Sequence, residues 1–133
     1  MSDELDELRE MAARQPYLEM LAGALDTSPD GVIIAASDLT IRHINKKTEL
    51  LFGYNRAELV GQKVHILLPE AMREAHVQYT DNFWNDPRVR PMGAGKQLRG
   101  KRKDGREIPL DIMLSPFSTP QEPLVSAWIR VPK

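Results

Sequence analysis

The stretch that decides the fold of this chain is GKRKDGREIPLDIML, residues 100–114. Asp104-Gly105 at its centre is a strong signal for the tight turn of a β-hairpin, because both residue types accept the backbone angles of such turns. Pro109 predicts an edge strand or a bulge, since proline has no N–H for a sheet. Apolar residues then alternate as they do in a half-buried strand: Ile108, Leu110, Ile112 and Leu114.

Further strands are predicted on both sides of a helical middle. Residues 97–103 form the other arm of the hairpin, and the remaining strand patterns cover 32–36, 40–44 and 124–131. Proline-rich or glycine-rich segments predict loops over 86–95 and 115–123. Hairpin-linked strands at both ends, with helices between them, indicate an α+β domain: an antiparallel sheet with short helices on one face.

Three helices are predicted in the middle of the chain. Asn45 is a good N-cap for a helix over 46–52, which Gly53 ends. The segment 55–58 has the pattern of a capping box that opens a single-turn helix. Pro69 suits the first position of a longer helix over about 70–85.

The N-terminal segment is acidic and amphipathic. Two helices are predicted, over 3–15 and 17–25, because Pro16 disfavours helical geometry in the residue before it. We therefore divide the chain into a helical cap, 1–25, and a domain, 26–133. Because a narrow apolar stripe cannot stabilise such helices alone, we expect the cap to pack either on its own domain or on a second copy. The candidates for a dimer interface are Leu5, Leu8, Ala12, Leu18 and Leu21.

Composition excludes several classes of chemistry. The 133 residues carry a net charge of −1, and none is cysteine, so disulfides, thiolate metal sites and cysteine-linked chromophores are excluded. No apolar run approaches the roughly 20 residues of a membrane span, and we expect a cytoplasmic protein. Residues 86–106 hold eight basic and two acidic residues but lack the interleaved aromatics of a nucleic-acid surface. No catalytic triad or metal cluster is evident, so we expect no enzyme activity.

Five segments together resemble the PAS (sensory-box) domain family. They are SPDGVII at 28–34, INKKTELLFGY at 44–54, ELVGQ at 58–62, LLPE at 67–70 and GKRKDGREIPL at 100–110. The resemblance implies a five-stranded antiparallel sheet whose helical face encloses a small cavity. It also implies sensing of a ligand, light, oxygen or redox state, or simple dimerisation, relayed to an attached output domain. The sequence stops before the helical linker of many relatives, so a piece of a longer protein and a stand-alone module both remain open.

The residues expected around such a cavity are mostly apolar, and they could line a modest pocket or fill it. The candidates are Ile33, Ile44, Phe52, Leu67, Met72, His76, Tyr79, Phe83, Leu98, Met113 and Trp128.

Cofactor binding receives little support from the sequence. Haem needs an axial ligand, most often histidine. The resemblance implies a ligand late in the helix over 70–85 or just after it, where Asn82 and Arg88 stand, so His76 is the one remote candidate. Covalent flavin is excluded by the absence of cysteine, and non-covalent flavin has no supporting motif. We expect no cofactor or one that the sequence does not identify.

Three functional hypotheses follow. The first is a homodimeric sensory module that binds a small molecule in its core and regulates a histidine kinase, cyclase or transcription regulator. The second is a ligand-free module for dimerisation or docking. The third is a redox or gas sensor that carries haem or flavin. None of the three involves nucleic acid or a membrane directly.

Overall fold

The computed structural model describes residues 2–93 and 96–132. A long helix, α1 (Ser2–Asp26), precedes the hairpin β1 (Gly31–Ala36) and β2 (Ile41–Ile44). Helices α2 (Lys46–Phe52) and α3 (Arg56–Leu59), two 3₁₀ turns (Val64–Leu67 and Glu70–Met72) and α4 (Arg73–Asn85) follow. The remaining strands are β3 (Arg90–Pro91), β4 (Leu98–Lys101), β5 (Glu107–Ser118) and β6 (Pro123–Arg130).

The six strands form one antiparallel sheet in the order β2-β1-β6-β5-β3, with β4 also paired to β5. The α+β class with helices on one face is confirmed, although the resemblance implied five strands. The sixth is β3, only two residues long and ending in Pro91, inside the segment 86–95 that we predicted as a loop. Such a short strand leaves no alternation for sequence patterns to detect.

The hairpin predicted around Asp104-Gly105 is confirmed. Gly105 has φ +89°, which is the left-handed region that favours glycine, and β4 pairs with residues 107–110 of β5. Pro109 lies in that part of β5, and the pairing with β6 begins only at Asp111. Among the described residues, Pro109 therefore has a strand on one side alone, as an edge proline requires.

The predicted loop over 115–123 is wrong in its first half. β5 continues to Ser118, and Pro116 pairs with Val125 of β6. β3 contacts the other side of β5 only at Met113 and Leu114. Within the described part of the chain Pro116 thus lies at an edge, where the missing N–H breaks no second ladder.

The predicted break at Pro16 is also wrong, because α1 continues through it. Proline fixes φ near the helical value and removes only one donor, so strong helix formers on either side can carry the helix onward. The helix predicted over 70–85 begins at Arg73, since Pro69 is followed first by a 3₁₀ turn. The helix over 46–52 is confirmed, with the Asn45 side chain accepting from the Thr48 N–H at 3.1 Å and Gly53 in the left-handed region.

The main core lies between the inner face of the sheet and the helices α2 and α3 with the first 3₁₀ turn. Its buried members are Ile33, Ile41, Ile44, Phe52, Leu59, Leu67, Leu110 and Ile129. A second cluster, Ala35, Phe83 and Val125, packs α4 onto the same face of the sheet. The division between cap and domain at residue 25 stays a prediction.

Candidate functional site

A partly open cavity of about 140 Å³ lies between the inner face of the sheet and the segment from the first 3₁₀ turn through α4. The sheet contributes alternate residues of β1, β5 and β6, which point to the same face because side chains alternate along a strand. The helical side contributes residues from successive turns of α4: His76, then Tyr79 and Thr80, then Phe83 and Trp84.

Eight of the eleven predicted cavity residues line this cavity: Ile33, Phe52, Leu67, Met72, His76, Tyr79, Phe83 and Leu98. Ile44 is fully buried but belongs to the neighbouring core rather than to the cavity wall. The structure places these eight residues in the cavity wall, and their binding of a ligand remains a prediction.

Met113 and Trp128 do not line the cavity, and placing them there was wrong. The two residues face each other across β5 and β6, and their neighbours Ile112, Leu114, Ala127 and Ile129 occupy the cavity wall instead. Because the side-chain period of a strand is two, a choice shifted by one residue places the side chain on the opposite face.

Further residues line the cavity but were not predicted from the sequence. On the sheet they are Ala35, Leu110, Ile112, Leu114, Val125, Ala127 and Ile129, and elsewhere they include Leu39, Val64, Leu68, Thr80, Trp84 and Met92. The alternation that starts at Ile108 could have identified the β5 members. Leu39 carried no such signal, because it reaches the wall from a turn with φ +71°.

Gly100 of β4 shapes one side of the cavity. A Cβ at this position would lie 2.7 Å from Leu110 Cδ1 and 2.8 Å from Phe52 Cε1. The Phe52 ring therefore packs directly on the β4 backbone, which only glycine permits without displacing the ring or Leu110.

His76 is one of a few polar side chains in a mostly apolar wall, which also includes Tyr79, Thr80, Trp84 and Arg99. Its ring meets the ring of His65 edge to face, with centroids 5.5 Å apart, and its Nδ1 is buried without a hydrogen-bond partner. Burial, assisted by His65, lowers the pKa of His76 to about 4. The imidazole is therefore neutral at pH 7, the form that can accept a hydrogen bond or bind a metal ion.

Two of the other polar or charged lining residues, Thr80 and Arg99, already have hydrogen-bond partners. The Thr80 hydroxyl donates to the His76 carbonyl oxygen at 2.8 Å, and Arg99 Nε donates to Glu107 at 3.2 Å. Within residues 2–93 and 96–132, no group of three or more His, Cys, Asp or Glu side chains could hold a metal ion.

A second candidate surface is α1, whose side chains from residue 3 to residue 24 are all exposed. The predicted contact residues lie among them: Leu5, Leu8, Ala12, Leu18 and Leu21. The described helices include none with both the length and the apolar character of a membrane span.

Among the described residues, the hydrogen bonds and ion pairs that join α1 to the domain lie at its C-terminal end. Asn45 Nδ2 donates to the Leu25 carbonyl oxygen at 2.6 Å, and Arg56 pairs with Asp26 at 3.0 Å. Asn45 is fully buried, and its Oδ1 accepts from the Val32 N–H of β1 at 2.8 Å. One side chain thus joins the end of α1 to the central sheet.

Comparison with known proteins agrees with this geometry. The family model for the PAS fold matches residues 19–131. The chain belongs to the PAS family. The PAS domain of an HTR-like protein from Haloarcula marismortui superposes with a TM-score of 0.72 at 20% identity, covering 99% of this chain and all of that one. A PAS domain from a two-component sensor histidine kinase superposes with a TM-score of 0.75 at 9% identity, covering 89% of this chain and 98% of that one.

Sequence relatives of this PAS domain are signalling proteins, as the resemblance implied. The sensor protein FixL of Bradyrhizobium diazoefficiens is 31% identical over 83% of the chain. The oxygen sensor protein DosP of Escherichia coli is 27% identical over 80%, and the cell-division control histidine kinase PdhS of Brucella ovis is 29% identical over 76%. The matched regions are 22%, 13% and 10% of those three proteins, so the chain corresponds to a small part of each.

Proposed function

We propose that this PAS domain is the sensory input module of a signalling protein and detects a small molecule bound in its cavity. The observation that carries the proposal is an apolar cavity of about 140 Å³ with one unpartnered neutral imidazole, His76, in its wall. Ligand sites are typically concave and apolar, with a few polar groups that fix orientation. The likeness to sensor proteins and to a histidine kinase supports a regulatory output, such as a kinase. We expect no catalysis by this domain itself.

A metabolite screen tests ligand binding, because any molecule that binds only the folded state raises the melting temperature. Native mass spectrometry of the same mixtures identifies what is bound. Ala127→Leu fills part of the cavity, and Ala57→Leu makes the same change on an exposed helix. We expect a hit whose stabilisation is lost in the Ala127 variant and kept in the Ala57 variant; equal stabilisation of both variants would place the ligand elsewhere.

Haem is a second candidate occupant, favoured by His76 and by the likeness to a protein named an oxygen sensor. The donor chemistry fits, because a neutral histidine with an unpartnered nitrogen in an apolar wall is a suitable axial ligand. His76 would hold the iron, and the bound haem would supply the site for a diatomic gas. A group of that size also requires the wall around the 140 Å³ cavity to move apart.

The visible absorption spectrum distinguishes the two occupants. Protein expressed with added haem precursor should show a Soret band if haem binds, and His76→Ala should abolish it. His43→Ala is the matched control, since His43 lies on the opposite face of the sheet, paired with Ile34. A colourless protein, or a band that survives the loss of His76, contradicts haem binding at this residue.

The PAS domain is further proposed to form a homodimer through α1 and the outer face of the sheet. Support comes from the exposed apolar residues of α1, including Leu5 and Leu8 at 55% and 61% exposure, and from the small contact that α1 makes with its own domain. Light scattering of Leu5→Glu/Leu8→Glu should show weakened self-association with an intact fold. Ala13→Glu, on another side of α1, is the control. Wild-type protein that is strictly monomeric at tens of micromolar contradicts the dimer, and unfolding of the double variant would place α1 in the core.

A further inference from the structure

The size of the cavity limits what it can hold. Its volume of about 140 Å³ resembles that of the dry engineered cavity, about 150 Å³, that accepts benzene in another protein. Ligands that bury several rings need roughly 300–1,000 Å³. Without movement of the wall, the cavity therefore fits a molecule of about one aromatic ring.

The charges around the cavity limit the ligand further. Among its described lining residues, Arg99 alone carries a formal charge, and its side chain is half exposed and paired with Glu107. An ionised ligand would lose its hydration and find no free counter-charge in the wall, which is costly in an apolar environment. The wall therefore selects a neutral molecule.

One lining side chain, His76, has a buried nitrogen that lacks a hydrogen-bond partner among the described residues. Four described side chains have a buried nitrogen without a hydrogen bond, and of these His43, His65 and Arg73 are outside the cavity lining while His76 belongs to it. Buried polar groups are nearly always hydrogen-bonded, so such an exception calls for an absent partner. A neutral imidazole offers one donor and one acceptor nitrogen, so it can serve a hydroxyl or an N–H group equally well.

From these three observations we infer that the cavity binds a neutral, single-ring molecule that places one hydrogen-bonding atom against His76. The inference rests on the proposed small-molecule function and adds its chemical class: phenol-like or indole-like compounds rather than carboxylic acids, nucleotides or flavins.

A matched ligand series tests this class directly. Benzene, phenol and benzoate share one ring and differ in a hydrogen-bonding atom and in charge at pH 7. Binding is measured by calorimetry, with NMR shifts of the Ile112 and Leu114 methyl groups as evidence for occupancy of the cavity. We expect phenol to bind about 2- to 10-fold more tightly than benzene, the worth of one net hydrogen bond, and benzoate to bind undetectably.

Two variants assign the hydrogen bond. His76→Leu should still bind benzene but should lose the preference for phenol, because the imidazole that forms the proposed hydrogen bond is gone. His43→Leu, the same change on the outer face, should keep that preference. If His76→Leu fails to fold, His76→Gln tests the same point, since it retains a hydrogen-bonding side chain and should keep part of the preference.

The outcomes separate this inference from the function on which it rests. Tight binding of benzoate, or a phenol preference that survives in His76→Leu, overturns the chemical class. The chemical class is also overturned if the native ligand in the cavity is charged, has several rings or is haem. The proposed sensory function would stand in that case. If neither the series nor the metabolite mixtures shift the cavity methyl groups, the proposed function fails as well.

Discussion

Helix α1 and the sheet differ in what stabilises them. Every described side chain from residue 3 to residue 24 is exposed, whereas the inner face of the sheet buries a contiguous core. Leu18 is 57% exposed in α1, and Ile44 is 0% exposed in β2. Most helical stability in proteins comes from packing of an apolar face, and α1 has no such packing within its own domain.

This difference indicates that α1 and the rest of the PAS domain are stabilised in different ways, with α1 attached at its C-terminal end. The attachment is local: Asn45 and Arg56 bind the last two residues of α1, Leu25 and Asp26. Within the described part of the chain, this junction is the direct connection through which a change in the cavity wall can reach α1. A ligand can shift that arrangement only by binding two states with different affinity.

The largest expected effect compares equivalent truncations in the two regions. Ile44→Ala removes a fully buried side chain and should lower the free energy of unfolding by about 3 kcal/mol. Leu18→Ala should change it by less than about 0.5 kcal/mol, because the side chain is solvated. Urea denaturation at low protein concentration measures both. Equal destabilisation by the two changes would mean that Leu18 is buried in solution. It would contradict the difference between an exposed α1 and a buried sheet face.

A second prediction concerns the junction itself, through two asparagines that each precede a helix. Asn45→Ala leaves the Val32 N–H and the Leu25 and Asp30 carbonyl oxygens without their partner, and should cost about 2–3 kcal/mol. Asn55→Ala removes an exposed cap and should cost about 0.5–1 kcal/mol.

Hydrogen exchange gives the same experiment a local readout. We expect faster exchange of the Val32 amide and of the last turn of α1 in Asn45→Ala, and little change there in Asn55→Ala. Similar protection of α1 in both variants would show that Asn45 supports the sheet alone and does not connect the two regions.

Sequence patterns predicted the parts of the fold that local chemistry determines. The Asp104-Gly105 turn and the Asn45 cap are encoded within a few neighbouring residues, and both are found where they were expected. Pro16 and Pro116 led to wrong predictions, because proline is a strong local signal for a break in a helix or strand. Helix formers on either side override it at Pro16, and an edge position in the sheet tolerates it at Pro116.

The cavity was predicted less completely, for a different reason. Alternation in β5 separates two faces, yet it does not say which face the helices cover. The pairing of Met113 with Trp128 and the position of α4 decide that question, and both depend on contacts between distant segments. His76 was identified because it shares a helical face with Tyr79 and Phe83, a spacing visible in the sequence.

The smallest predicted effect is a dependence of stability on pH. It originates at His76 in the cavity wall rather than in α1. Burial lowers the pKa of His76 to about 4, against 6.5 in the unfolded chain. Between these values the unfolded state binds a proton that the folded state does not, so stability falls as pH decreases from 6.5 to 4. We expect a loss of about 1–2 kcal/mol, discounted for the partial exposure of the ring.

Below pH 4 a separate loss should begin, because hydrogen bonds lower the pKa of Asp38 and Asp104 to about 2. The two windows therefore distinguish histidine from carboxylate titration. Urea titrations across pH 4–7 should show that His76→Leu removes most of the slope, while burial also lowers the pKa of His43 and leaves a smaller remainder. An unchanged slope in His76→Leu would mean that burial does not lower the pKa of His76 in the folded protein, so that the imidazole would not stay neutral below pH 6.5.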